Sequence, residues 1–230
     1  MVTRTPAQTV NGRRWRSLRW LILAPHADDE TLGAGALIAQ TAKSGRLAGM
    51  VYVTDGSGSH ATQRGLWGRL VNVRRREAAT ALHRLTGARD HIPVHIGWKD
   101  AAPAAPGEQL FDHSCRALVA LCQRWRVDAL AVTALHEPHC DHAAAAQLAY
   151  AVQARSKHRM VVAEYVVWAD APGRRTHRSI ATAPMLQGLR RQALRAHRSQ
   201  LTASHGEGFR LPKSHQRMSA RDVLYVRRKP

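Results

Sequence analysis

Short apolar runs alternate along the chain with longer stretches in which apolar residues recur every three or four positions. The short runs predict buried strands and the longer stretches predict helices. The predicted strands are Trp20–Leu23, Leu47–Val53, Pro93–Ile96, 127–134 and Met160–Val167, with a late strand Asp222–Val226 against the sheet edge. The predicted helices are Thr31–Lys43, Leu70–Leu85, Asp112–Trp125, Ala143–Ala154 and Met185–His197. This alternation is typical of βαβ units and predicts a mostly parallel central sheet.

The chain of 230 residues is long enough to bury one substantial core. Residues 1–16 are expected to be a basic, partly disordered arm, and residues 17–230 a single α/β domain with a Rossmann-like three-layer fold. The apolar segment Leu21–Ala24, behind the N-terminal arginines, is too short for an export signal. No stretch approaches the roughly 18 apolar residues of a membrane span. The sequence therefore predicts a cytoplasmic protein with no membrane span.

The composition is strongly basic, with 35 Lys and Arg against 16 Asp and Glu and a formal net charge of +19. Such a charge favours anionic partners, either nucleic acid or an acidic substrate. The arginines are spread along the chain and aromatic residues make up only 5% of it, so no basic and aromatic stripe for stacking bases is visible. We therefore do not expect nucleic acid as the main partner. The charge either serves an anionic small-molecule substrate or only reflects a composition rich in arginine, and the sequence does not decide between these.

The three cysteines, Cys115, Cys122 and Cys140, form no CxxC pair and leave an odd number. This count argues against a disulfide scaffold or a cysteine-rich zinc site and fits a reducing compartment. Cys115 and Cys122 are seven residues apart in an amphipathic stretch, which predicts two buried, small apolar side chains.

Two loops rich in histidine and acid follow predicted strands. "HADDE" (26–30) follows the first strand, and "HCDH" (139–142) follows the fourth. With strand order 3-2-1-4-5, these strands are neighbours at the point where the order reverses, and ligands bind there in open α/β sheets. His26, Asp29 and His142 would then supply three zinc ligands and leave a fourth position for water. Iron(II) suits the same ligands.

The remaining polar residues of these loops have candidate catalytic roles. Asp28 diverges from its neighbour in an extended loop and is free to act as general base toward a water activated by the ion. His139 could donate to a developing oxyanion or protonate a leaving amine. Asp141 could assist that imidazole, or instead support His142, and the sequence does not decide between these. A competing interpretation is that Asp29 only caps the following helix.

"PHADDE" and "HCDH" resemble the AHPDDE and HPDH signatures of the PIG-L/LmbE-like family of zinc-dependent deacetylases, which act on N-acetylglucosamine-type substrates. The segments "VTDGSGS", "RRREAATAL" and "ALRAHRSQ" are also similar, so the resemblance extends over about residues 18–200. It implies that the zinc ligands are His26, Asp29 and His142. It also implies Asp28 as the base and His139, helped by Asp141, as the oxyanion-stabilising or acid group.

The same resemblance suggests two substrate-binding residues. Arg74 would hold sugar hydroxyls, although a solvated helix face shared with Arg75 and Arg76 is the alternative. Asp100 would lie near the substrate loop of the family, although it could simply be a turn residue.

The sequence departs from the family pattern at three positions. Ala27 and Cys140 each replace a proline, which frees the backbone of both loops. Cys140 is expected to point away from the ion, although thiolate binds zinc well. Glu137 stands where some relatives have a tyrosine, so the help that a phenol gives to the oxyanion is absent.

These residues predict a metal-dependent hydrolase with Asp28 as general base, and the resemblance implies that it removes an N-acetyl group from an amino sugar or its conjugate. Its expected products are acetate and a free amine. One alternative is an amidase of a larger thiol or antibiotic conjugate with the same metal centre. A second alternative is a basic protein that binds anionic polymers on a degenerate version of the fold.

Overall fold

The computed structural model describes residues 8–60 and 67–228, and these residues form one eight-stranded sheet with helices on both faces. The strands are β1 (Gln8–Thr9), β2 (Trp20–Ala24), β3 (Leu47–Thr54), β4 (Val94–Trp98), β5 (Ala129–Thr133), β6 (Val161–Tyr165), β7 (His177–Ala181) and β8 (Val223–Arg227). The helices are α1 (Asp29–Lys43), α2 (Trp67–Thr86), α3 (Gln109–Arg124), α4 (Cys140–Arg155), α5 (Gln187–Leu194) and α6 (Arg198–Leu201).

The strand order is β1-β7-β8-β6-β5-β2-β3-β4. Neighbouring strands are parallel except at β8, which is antiparallel to both β6 and β7. The five strands first predicted are β2 to β6, and they lie in the expected order 3-2-1-4-5. The predicted α/β, Rossmann-like three-layer fold with a mostly parallel sheet is confirmed.

The far side of the sheet differs from the prediction. β8 lies between β6 and β7 rather than at the edge, and β1 and β7 were not predicted. β7 carries only one fully buried side chain, Ile180, and β1 has only two residues, so neither shows an apolar run in the sequence. Both strands form through pairing with distant segments.

Residues 8–16 of the expected N-terminal arm pack against the sheet. β1 pairs with β7, and the side chains of Val10 and Trp15 are buried in the core. The indole Nε1 of Trp15 donates a hydrogen bond of 3.0 Å to Gln8 Oε1. Burial of one indole and one valine fixes this segment to the sheet. The first seven residues of the expected arm lie outside the described residues.

The two faces of the sheet bury different sets of side chains. In β2, Trp20, Ile22 and Ala24 pack in the core shared with α1 and α2, whereas Leu21 and Leu23 pack in the core shared with α3 and α4. A strand buried on both faces reads as a continuous apolar run, which is why this strand was visible in the sequence. Cys115 and Cys122 are buried in the second core, as predicted.

Helix α1 approaches the sheet closely enough to require a glycine. A Cβ atom at Gly33 would lie 2.2 Å from Cδ2 of Tyr165, the last residue of β6. The hydroxyl of Tyr165 donates a hydrogen bond of 3.2 Å to the carbonyl of Leu23 in β2. These contacts hold the first turn of α1 beside the carboxyl ends of the central strands.

The predicted helix Met185–His197 is shorter in the structure and is followed by the separate turn α6. Arg190 of α5 is buried and donates to the carbonyls of Thr31 (2.8 Å) and Leu32 (2.6 Å) in α1, which fixes α5 against that helix. Among the described residues, no helix combines the length and the apolar character needed to cross a bilayer.

Candidate active site

Loops at the carboxyl ends of five parallel strands, β2 to β6, converge around a cleft with a volume of about 450 Å³. This size is typical of small-molecule sites. Helix α6 and the loop before β8 complete the wall. The lining residues are His26, Asp28, Asp29, Gly58, Ser59, Arg74, Asp100, Ala101, Pro138, His139, His142, Trp168, Gln200 and Phe209. Every predicted site residue except Asp141 lines the cleft.

His26, Asp29 and His142 meet at one carboxylate oxygen. Asp29 Oδ2 lies 3.3 Å from His26 Nδ1 and 3.2 Å from His142 Nε2, and it accepts a hydrogen bond from the His26 backbone N–H at 3.0 Å. Asp29 is in the first turn of α1, and its carboxylate faces the two histidines instead of capping the helix. Although burial opposes both shifts, the two histidines lower the pKa of Asp29, and Asp29 with Glu137 raises the pKa of His142 to about 9.

This group has the spacing that a tetrahedral cation needs. Ligand atoms about 2.0–2.1 Å from a tetrahedral zinc lie about 3.3 Å from one another, close to the two nitrogen–oxygen distances above. A carboxylate also stands behind each imidazole: His142 Nδ1 is 3.2 Å from Glu137 Oε2, and His26 Nε2 is 2.8 Å from Asp141 Oδ2. Carboxylates commonly orient metal-binding histidines in this way. The donor set therefore fits a divalent cation.

A second group, His26, His139 and Asp141, also brings ligand atoms close together. Here, however, His26 Nε2 and Asp141 Oδ2 are only 2.8 Å apart, the length of a charge-assisted hydrogen bond. We therefore assign this contact to the support of His26 and not to shared coordination.

Asp28 lies beside this group in a strained conformation. Its φ of 126° and ψ of −31° fall outside the regions that non-glycine residues favour, and its backbone N–H is held by Glu30 Oε2 at 2.9 Å. Strain of this kind is often found at functional positions. The carboxylate accepts no hydrogen bond from the described residues. Burial and the negative charge of Asp29 raise the pKa of Asp28 to about 7.

The loop after β5 places the Asp141 carboxylate differently from both sequence alternatives. The Asp141 carboxylate accepts hydrogen bonds from His26 Nε2 and from the Ala101 backbone N–H (3.0 Å), so it supports neither imidazole of its own loop. His139 faces the cleft, and its Nδ1 accepts a 3.2 Å hydrogen bond from the Asp141 backbone N–H. The neutral ring therefore carries its proton on Nε2. Burial and the positive charges of His26 and His142 lower the pKa of His139.

Arg74 and Asp100 are both buried at the edge of the cleft, which contradicts the solvated helix face for Arg74. The Arg74 guanidinium donates to Ser59 Oγ at 2.7 Å. Gly56, with φ of 70°, leaves the space that this guanidinium occupies, since a Cβ there would lie 2.5 Å from it. Asp100 accepts from the Gly58 backbone N–H at 3.0 Å and contacts His26 Nε2 at 3.2 Å.

Glu137 belongs to the site, although the sequence did not predict its position there. Besides His142, its carboxylate accepts hydrogen bonds from the backbone N–H groups of Val167 (2.7 Å), Trp168 (3.1 and 3.2 Å) and Ala169 (3.3 Å). Although burial opposes it, bonding to His142 and to these N–H groups lowers the pKa of Glu137. The replacement of tyrosine by an acid was the available signal.

The aromatic wall of the cleft, Trp168 and Phe209, was also not predicted. The two rings are perpendicular with centroids 6.2 Å apart, and the ring centroid of His215 lies 4.3 Å from that of Trp168 on the outside. Phe209 is held by its backbone N–H, which donates to the Ser59 carbonyl at 2.7 Å. These residues come from separate loops far apart in sequence, so no local motif identifies them.

Below the cleft, buried Glu30 accepts hydrogen bonds from His197 Nε2 (3.0 Å) and Thr31 Oγ1 (2.6 Å). This pair joins the "HADDE" loop to the segment between α5 and α6.

The two positions where proline is replaced keep ordered loops. Gln200 Nε2 donates to the Ala27 carbonyl, which anchors the first loop from α6. Cys140 is the first residue of α4; its side chain is exposed and contacts Asp141 Oδ1 at 3.5 Å, outside both candidate ligand groups.

The cluster of histidines and acids lies at the carboxyl edge of a mostly parallel sheet, where ligands bind in open α/β folds. The sequence comparison identifies the family. A family model described as PIG-L, GlcNAc-PI de-N-acetylase, matches residues 21–153. The match covers more than half of the chain, and the protein belongs to the PIG-L family. No curated protein sequence matches the chain.

Solved structures with the same fold include known deacetylases. N,N'-diacetylchitobiose deacetylase from Pyrococcus horikoshii has a TM-score of 0.62 and 18% identity, over 81% of this chain and 72% of that chain. A triple mutant of a deacetylase of teicoplanin biosynthesis has a TM-score of 0.65 and 18% identity, over 92% of this chain and 99% of that chain. The conserved protein TT1542 from Thermus thermophilus has a TM-score of 0.56 and 25% identity, over 81% of each chain.

Proposed function

We propose that the protein is a metal-dependent N-deacetylase that hydrolyses the acetamide of an amino sugar or of an amino-sugar conjugate. One observation carries the proposal: the ligand atoms of His26, Asp29 and His142 lie within 4.8 Å of one another in the cleft. The carboxylate of Asp28, which accepts no hydrogen bond from the described residues, lines the same cleft. Membership of the PIG-L family and the deacetylases among the structures of the same fold support the reaction type.

His26, Asp29 and His142 are the residues that would hold the ion, zinc or iron(II). When bound, such an ion supplies a Lewis acid that polarises the acetyl carbonyl and lowers the pKa of a water. The carboxylates behind the imidazoles keep their ligand nitrogens aimed at the shared point.

Asp28 removes a proton from the attacking water, whose oxygen forms the new bond to the acetyl carbon. His139 faces the cleft with its Nε2 proton and donates a hydrogen bond to the carbonyl oxygen as negative charge develops there. The carbon–nitrogen bond then breaks, and the proton held by Asp28 passes to the leaving nitrogen. The products are acetate and the free amine.

Arg74 and Asp100 lie on the same wall and present a guanidinium and a carboxylate, the groups that bind sugar hydroxyls. Because Asp100 also contacts His26 and the Gly58 N–H, its role includes holding the wall in place.

The cleft also favours a substrate larger than one sugar. Its volume of about 450 Å³ lies in the range of clefts that bury drug-sized ligands, and the aromatic wall offers apolar surface. We therefore place conjugates, in which the sugar carries a second sugar or an apolar group, ahead of free monosaccharides.

The test is acetate release from a panel of N-acetyl amino sugars, from monosaccharide to aryl and disaccharide conjugates, with zinc- or iron-loaded protein. Hydrolysis of at least one conjugate, lost after chelation and restored by the metal, is the expected result. Silence across the whole panel with either metal would contradict the proposal.

A further inference from the structure

The two oxygens of Glu137 face two different parts of the site. Oε2 lies 3.2 Å from His142 Nδ1 and shares the Trp168 N–H at 3.1 Å, while Oε1 accepts from the backbone N–H groups of Val167, Trp168 and Ala169. The Glu137 residue is 5% exposed and His142 is 1% exposed, so bulk water does not replace either contact.

We propose that Glu137 is a positioning residue that fixes the tautomer of His142 for metal binding and, with its other oxygen, holds the loop carrying the wall residue Trp168. This inference rests on the proposed function for the identity of the metal ligands. It assigns a role to the acid that stands where some relatives of the family have a tyrosine.

The tautomer argument follows from donor and acceptor chemistry. A carboxylate can only accept, so the hydrogen bond to Glu137 requires the proton of His142 on Nδ1. In the neutral ring that binds a cation, the lone pair is then on Nε2, the nitrogen that lies 3.2 Å from Asp29 Oδ2 at the proposed ion site. Since a neutral imidazole has one donor and one acceptor nitrogen, fixing one nitrogen fixes the other.

The loop argument uses the second oxygen. Three backbone N–H groups converge on Oε1, and any side-chain carbonyl oxygen at that position could accept from them. A glutamine would therefore keep its oxygen toward Val167, Trp168 and Ala169. Its amide NH₂ would then face His142 Nδ1, which would force that nitrogen to accept and would place the proton on Nε2.

The variant E137Q thus separates the two roles. We expect it to fold with a far-ultraviolet circular dichroism spectrum like that of the wild type and to bind zinc about 10- to 100-fold more weakly, the usual effect of losing such a support. The measurement is a competition titration of the whole protein against a chromophoric zinc chelator. E137Q affinity within about twofold of the wild type would overturn the inference.

The matched control is E164Q, which also neutralises a buried glutamate. Glu164 contacts Tyr150, Arg227 and the Leu135 N–H, and it belongs to neither candidate ligand group. Its zinc affinity should equal that of the wild type. An equal loss of zinc affinity in both variants would assign the effect to general destabilisation and overturn the tautomer role.

A measurement on the wild type keeps the inference testable if E137Q fails to fold. In ¹⁵N-histidine-labelled, zinc-loaded protein, the His142 ring should show a proton on Nδ1 and metal on Nε2, whereas the opposite pattern would overturn the inference. Failure of the proposed function looks different. A wild type that binds no zinc contradicts the proposed metal site, whereas a zinc-binding wild type with an unaffected E137Q contradicts only the role of Glu137.

Discussion

Asp28 occupies a backbone conformation that few side chains tolerate, directly before the residue at the centre of the proposed ion site. In this conformation the Asp29 carboxylate faces the histidines, and the Asp28 carboxylate lines the cleft without a hydrogen bond from the described residues. The strain is offset by the N–H bond to Glu30 and by the two α1 N–H groups, of Thr31 and Leu32, that donate to the Asp28 carbonyl.

The substitution Asp28→Asn tests the base. Asparagine tolerates positive φ, so the loop should keep its shape. We expect kcat to fall about 10²- to 10⁴-fold, the usual contribution of a general base, with bound zinc unchanged. Steady-state kinetics and metal analysis of the same preparation measure both quantities, and His142→Ala, which should lose the zinc as well, serves as the comparison. Near-normal turnover by Asp28→Asn would mean that another group takes the proton.

The close packing of helix α1 on Tyr165 depends on the absence of a side chain at Gly33. In Gly33→Ala the new methyl group would overlap the Tyr165 ring, since the distance to Cδ2 is 2.2 Å. We expect the free energy of unfolding to fall by about 1–3 kcal/mol, the range for overpacking. The control is Gly188→Ala in α5, where no atom lies within 4 Å of the added Cβ. That change should be neutral or stabilising by about 0.5–1 kcal/mol. Urea denaturation of both variants gives the comparison, and equal stabilities would refute the packing argument.

Strand β4 carries an acid-sensitive residue. His95 stacks on Tyr52 with centroids 5.3 Å apart, and burial with the nearby charge of Arg75 lowers its pKa from 6.5 to about 4. Between these values the unfolded chain binds a proton that the folded protein does not, so stability is full above pH 6.5 and falls as the pH drops toward 4.

The substitution His95→Phe keeps the stacked ring and removes the titration. Since His95 is partly exposed, we expect the wild type to lose about 1 kcal/mol more than this variant between about pH 7 and about pH 5. Urea denaturation at the two pH values measures the difference. Identical losses in both proteins would show that His95 does not titrate in this window.

The central strands were predictable because each of them appears in the sequence as a local run of apolar residues. β2 to β6 are short apolar runs, and their order followed from the common arrangement of such sheets, which brought His26, Asp29 and His142 together correctly. The partners of Asp141 were not predictable, because its carboxylate contacts His26 after β2 and the Ala101 N–H after β4 instead of an imidazole of its own loop. The contacts of Glu137 depend likewise on the loop after β6. Pairing of β1, β7 and β8 is also long-range, and composition alone made residues 8–16 look like an arm.

The protein carries a formal net charge of +19, although its cleft is lined by the carboxylates of Asp28, Asp29 and Asp100. A field of this sign speeds the encounter with anions and is screened by salt. For an anionic conjugate, we expect kcat/KM to fall several-fold when the salt is raised from about 50 to about 300 mM, whereas a neutral conjugate of the same sugar should show little change. Equal salt dependence for the two substrates would mean that the charge plays no part in substrate capture.

The cleft is assembled from two stretches of chain, one inside and one beyond the segment that the family model matches. The segment matching the family model, 21–153, supplies the proposed ion ligands, the base and the oxyanion donor, whereas Trp168, Gln200 and Phe209 lie beyond it. Exchanging the later stretch for that of another member would therefore be a direct route to chimaeric enzymes in which the same chemistry is applied to a new aglycone.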